Sequence, residues 1–230
     1  MQGEEGDAVA RGVAILEKLV GEFPNIPQYQ FDLSEAYEIQ SRRPGSIERL
    51  EKAADILRKL ADQWPHVPSY RFALAHMHLR LSFARDREGQ QPELVLAELR
   101  RAIDLQTALV KQFPSVATYA MMAAYYESAM AAQCEERSQH EQARTLLESA
   151  AGRMDSLAVT VGYKPRVRWI AMHCYEELAN VYERLGETKL SQDAWQRAEA
   201  MRMPPSSSSP WGPPPATGPF RLGPLGPIRH

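Results

Sequence analysis

"QWPHVPSYRF", residues Gln63 to Phe72, is the stretch on which the reading of this chain turns. Trp64 precedes one proline, Pro65, and Tyr70 follows a second, Pro68. Proline removes a backbone donor and pushes the residue before it out of the α region, so Pro65 ends a helix. A second proline with its φ already set for helix opens the next one. The phrase occurs earlier as "EFPNIPQYQF", Glu22 to Phe31, and again, eroded, as "QFPSVATYAM", Gln112 to Met121. Three copies mark a repeated structural unit rather than a loop. From Phe23 to Trp64 to Phe113 the intervals are 41 and 49 residues.

The segments between the phrases carry helical periodicity. "AADILRKLADQW" places Ala53, Leu57 and Leu60 on one face with Ile56 beside them, and "FDLSEAYEI" groups Leu33, Ala36 and Tyr37. No stretch alternates with period two. Each interval therefore holds two helices, and the proline phrase is the corner between units. The connections inside the pairs vary: "SRRPGS" at 41–46, "RDREGQQPE" at 85–93 and a polar stretch around Glu135–His140. Variable loops in matching units are expected of stacked helical hairpins.

The best-kept copy runs from Tyr175 to Met201. It reads Tyr175, Leu178, Ala179, Tyr182 and Gly186, then Ser191, Trp195 and Ala198. This spacing resembles the tetratricopeptide repeat (TPR), with Tyr for the leading Trp and Ala for Gly at the close helix contact. Looser copies carry Leu33, Ser34 and Tyr37 with Ala53, Leu57, Leu60 and Pro65; Leu74, Ala75 and His78 with Ala102, Gln106, Leu109 and Pro114; and Ala123, Ala124 and Glu127 with Ala143, Leu147 and Ala150. The resemblance implies an all-α, right-handed α-solenoid of antiparallel helix pairs, about nine helices over roughly residues 8–203. The proline phrasing also resembles the repeat regions attached to some bacterial serine/threonine kinases and ECF-type sigma factors. The catalytic and DNA-binding motifs of those proteins do not occur here. The opening "GVAILEKLVGEFP" looks like the second helix of a hairpin, so the chain reads as a possible fragment of a larger regulatory protein.

The TPR resemblance further implies a concave groove lined by the first helix of each pair. Its lining is then Gln28, Phe31, Glu35 and Glu38; Ser69, Phe72, His76 and Leu79; Thr118, Met121, Tyr125 and Ser128; and His173, Glu176, Asn180 and Glu183. Phe31, Phe72, Met121 and Tyr125 form the expected apolar floor, with Glu35, His76, Glu176 and Asn180 as its polar contacts. Exposed apolar patches of this kind mark a protein or peptide partner. A carboxylate clamp of the family's kind would need Lys and Asn on these faces, and only Asn180 fits.

Composition agrees with an ordinary globular chain. Of 230 residues 44% are hydrophobic and 24% charged, with a net charge of −2. That balance supplies no broad basic field for nucleic acid or an anionic membrane. The acidic N-terminus lacks the order of a signal peptide, and the two cysteines do not make a disulfide framework, so a cytoplasmic setting is expected. Composition changes abruptly after Met203. Residues 204–230 hold nine of the seventeen prolines. Arg221 and Arg229 are the only charged side chains there, so residues 1–203 carry −4 of the net −2. The division expected is a helical repeat domain at 1–203 and a disordered Pro/Ser/Gly-rich tail at 204–230.

Chemistry is sparse. His76 and His78 are two residues apart, about 200° around a helix, and cannot share a metal; His78 takes the packing position and His76 is expected to be exposed. Cys134 and His140 are more than a turn apart, and His173 and Cys174 diverge as neighbours. HExxH, CxxC, P-loop and GxSxG patterns are missing from the sequence. Lys164, Arg166, Arg168 and Trp169 make a small basic–aromatic cluster, too narrow for a nucleic-acid stripe. No enzymatic activity, cofactor or metal is expected. The reading is a binding scaffold, and the alternative is a regulatory remnant of a kinase or sigma factor.

Overall fold

The structure is a computed structural model that describes residues 2–41, 46–162 and 164–202. Among these residues the secondary structure is helical throughout: α1 (Gln2–Glu22), α2 (Pro27–Gln40), α3 (Ser46–Gln63), α4 (Pro68–Arg87), α5 (Pro92–Gln112), α6 (Ala117–Glu135), α7 (His140–Val161), α8 (Pro165–Arg184) and α9 (Thr188–Met201). The tail expected from residue 204 onward lies outside the described residues, as do positions 42–45 of the first variable loop.

The three proline phrases fold into the same corner. Ile26, Val67 and Val116 each precede a helix with extended backbone, at φ/ψ of −98/102, −98/96 and −86/93. Their amides donate back to the carbonyls of Phe23, Trp64 and Phe113 at 3.2, 3.0 and 3.1 Å. Pro27 and Pro68 then take the first helical position, where a missing N–H costs nothing. At the third corner Ala117 does the same work without a proline. The aromatics on either side meet edge to face in every copy: Phe23 with Tyr29, Trp64 with Tyr70 and Phe113 with Tyr119, at centroid distances of 6.3, 6.4 and 6.1 Å. Each corner is thus closed by one hydrogen bond and one aromatic pair, the latter adding about 0.5–1.5 kcal/mol beyond its burial.

Each helix packs on its chain neighbours, and α6 also touches α8 directly. Even-numbered helices form one row and odd-numbered helices the other, the arrangement of an all-α TPR-like solenoid. The small landmarks Ser34, Ala75, Ala124 and Ala179 are fully covered, which is what close helix approach requires. Facing them on the odd row, Ala53, Leu57, Leu60, Ala102, Leu109, Ala143, Leu147 and Ala150 are equally buried. A fully buried Leu contributes about 1.5–3 kcal/mol relative to exposure.

A polar pin joins the rows at one recurring position, that of Tyr182 in the last copy. Tyr37 donates to Glu17 of α1 at 2.6 Å, and Tyr182 donates to Glu148 of α7 at 2.9 Å. In α4 the residue is His78, whose Nδ1 lies 2.7 Å from Glu98 of α5. In α6 it is Glu127, which accepts from Ser149 Oγ at 3.0 Å and from Arg153 Nε at 3.0 Å. Burial works to raise the Glu98 carboxyl, but the bond from His78 and the charges of His78, Arg101 and Arg85 hold it below the ordinary range. The middle copies therefore keep the pin with other groups: His78 remains the donor, toward Glu98, and Glu127 turns acceptor.

Candidate binding groove

The even row carries all sixteen residues that the repeat pattern assigns to a groove. Their exposure is uneven, and the reason lies in how consecutive even helices meet. Phe31 of α2 packs on Tyr70 of α4 at 5.7 Å, and Phe72 of α4 packs on Tyr119 of α6 at 5.3 Å. These equivalent residues join one unit to the next through the corner tyrosine. Phe72 is only 3% exposed as a result, a core side chain rather than an accessible part of the floor. Leu79 is buried with it.

His76 also departs from expectation. It is 6% exposed, and its Nε2 faces Glu38 of α2 at 3.4 Å. Arg80, one turn further on, approaches the same carboxylate at 3.9 Å. Sequence reasoning missed Arg80 because it falls outside the groove spacing. It also missed Tyr126 of α6, which is completely buried and whose phenol is pushed far up by burial, then by Tyr125 and Glu38. An aromatic doublet at 125–126 was the available signal: one ring must turn inward.

What remains open on the even row are two patches. On α2, Glu35 is half-buried, and its carboxyl is raised by burial and then by the charges of Asp32 and Glu38. On α6 and α8, Met121, Tyr125, Met172, Glu176 and Asn180 are all partly exposed. The Trp169 ring lies edge-on to His173 at 4.2 Å. Glu176 accepts from Arg202 at 3.1 Å. Between the patches α4 contributes covered side chains, so the apolar floor is interrupted there. Ser128, another expected lining residue, makes a 3.3 Å contact with the Cys174 thiol at the α6–α8 junction.

Both cysteines are buried thiols. Burial pushes the Cys174 thiol up to about 12, and burial raises Cys134 as well. His140 turns its Nδ1 to Glu135 at 2.7 Å instead of toward Cys134. No group of three or more His, Cys, Asp or Glu side chains suited to a metal ion occurs among the described residues. Lys164 and Arg166 are exposed at the start of α8. Among the described residues no helix is long and apolar enough to cross a membrane.

No family model matches the chain, and no curated protein matches it. Solved structures do. The chain resembles "MamA MSR-1 C2" at TM-score 0.50 and 12% identity, over 86% of this chain and 88% of that one. It also aligns with another MamA crystal structure at 0.48 and 14%, covering 87% and 92% of the two chains. A third match, at 0.48 and 18% identity over 87% and 90%, is a putative kinesin light chain of Podosopora anserina described as having nearly identical TPR-like repeats. At such identities the likeness concerns the fold.

Proposed function

We propose that the chain is a non-enzymatic scaffold whose even-row face holds a protein or peptide segment. The observation that carries this reading is the patch on α6 and α8, where Met121, Tyr125 and Met172 stay partly exposed beside Glu176 and Asn180. Aromatic side chains supply binding energy at little entropic cost, flexible methionines adapt to the shape of a partner, and a few such anchors dominate affinity. Glu35 on α2, held with a raised carboxyl beside Asp32 and Glu38, favours a ligand carrying a basic group at that end. The ligand expected is a segment with apolar anchors flanked by Lys or Arg.

A random peptide library displayed against the full chain tests this. Enriched peptides should combine apolar and basic residues, and Tyr125→Asp should lower their capture at least tenfold while the circular dichroism spectrum stays unchanged. Capture that is indifferent to Tyr125→Asp, or peptides without basic residues, would sink the assignment.

A further inference from the structure

Two concavities share Asp155, Tyr175 and Arg197 and so form one channel between α7 and α9, floored by α8. The inner part, about 330 Å³, is lined by Tyr175, Leu178 and Tyr182 and carries Glu148, Asp155 and Asp193 against Arg197. The outer part, about 540 Å³, adds Ala158, Val159, Ala200 and Met201, with Arg168 among them. Val159 is 89% exposed there, the most exposed large apolar side chain of the described residues. The channel is on the odd-row side, away from the patch described above.

We infer that this channel is the docking site of the chain's own proline-rich segment, residues 204–230. The first argument is position. Met201 lines the outer mouth, and the segment starts three residues later. The second is reach. From Leu190 to Ala200 the channel wall spans about 15 Å at 1.5 Å per helical residue. From Met203 to Trp211 a polyproline II chain covers about 25 Å at 3.1 Å per residue. Trp211 and the following Gly212-Pro213-Pro214-Pro215 can therefore lie anywhere along it.

The third argument is chemistry. Val159 and Leu190 stay exposed on the channel walls and offer apolar surface that proline and tryptophan rings of an already ordered backbone can cover, while Tyr175 and Tyr182 lie nearly covered beneath them. The fourth is charge. The segment has Arg221 and Arg229 and no acidic residue, whereas the channel holds Glu148, Asp155 and Asp193 against Arg168 and Arg197, with the acidic excess at its inner end. Asp155 is engaged by Tyr175 and Arg197, and Glu148 by Tyr182, which leaves Asp193 best placed for an incoming arginine.

The test uses the full chain labelled with 5-fluorotryptophan, whose four tryptophans are Trp64, Trp169, Trp195 and Trp211. Trp211→Phe assigns its fluorine resonance. Docking predicts that this resonance is displaced from the free-tryptophan position and as broad as that of Trp64. It should be independent of protein concentration. Gly152→Lys with Asp193→Lys should block the channel. A Cβ added at Gly152, which is exposed, meets nothing within 4 Å, and lysine is a better helix former than glycine, so the fold should persist. The Trp211 resonance should then sharpen and move to the free position while that of Trp64 stays in place. A Trp211 resonance already sharp and free in the unaltered chain would overturn the inference. So would a displaced resonance that reverts on dilution, because the occupant would then be the segment of a second copy. Indifference of a displaced resonance to the double substitution would overturn the channel as its location.

Discussion

Replacing Phe72 by alanine separates the two roles that the repeat pattern leaves open for this residue. Phe72 is almost fully covered and packs on Tyr119 across the α4–α6 junction. Truncating a buried phenylalanine costs about 3–5 kcal/mol in lost transfer energy and cavity formation. The tilted ring contact adds about 0.5–1.5 kcal/mol to what burial alone predicts, which argues for the upper half of that range. A domain of this size loses about 2–4 °C in Tm for each kcal/mol, so a cost of about 4–5 kcal/mol gives an expected fall of about 8–20 °C. Met121 stands at the equivalent position of α6 but is only partly covered, and Met121→Ala should cost about 1 kcal/mol. The assay is thermal unfolding of the two full-length variants, followed by far-ultraviolet circular dichroism. Helical arrays can unfold in stages, so the midpoint is compared at matched steepness. If Phe72→Ala lowers Tm by less than 3 °C, or by no more than Met121→Ala, the placement of Phe72 in the core is wrong. By the same reasoning Phe72→Glu should fail to fold, since it buries a charge without a partner, and cannot serve as a test of binding.

Two further outcomes follow from particular residues. The raised carboxyl of Glu35 binds its proton more tightly in the folded chain than in the unfolded one, so stability falls as pH rises from the ordinary value of 4.5 through the folded value. Glu35→Gln should therefore raise Tm at pH 7, with the gain gone at pH 4; a gain of equal size at both would exclude the electrostatic cause. Gly186, between α8 and α9, has φ of +77 with open space around it. Gly186→Ala should cost about 1–2 kcal/mol from backbone strain alone, a fall of about 2–8 °C in Tm, and an unchanged Tm would show that the turn relaxes.

The corners, the helix pairs and the buried small residues were all legible in the sequence, because local physics decides them. Proline sets where helices stop and start, and the 3.6-residue period tells which side chains share a face. Hence Ser34, Ala75, Ala124 and Ala179 could be aligned by spacing, and each is buried. Substitution hid less than it suggests: Glu127 replaces a tyrosine yet still joins α6 to α7 through Arg153 and Ser149. Spacing cannot tell whether a face is covered. Phe31, Phe72 and Met121 occupy one repeat position, but Phe72 stacks on the Tyr119 ring of α6 and His76 meets Glu38 of α2, so both lose their solvent while Met121 keeps part of its own. Trp195 shows the converse. The repeat pattern makes it a packing residue between hairpins, but no described helix follows α9, and 38% of it is exposed. Periodicity is a property of one helix, whereas exposure depends on which neighbours stand on either side of it, and only the tertiary structure supplies those.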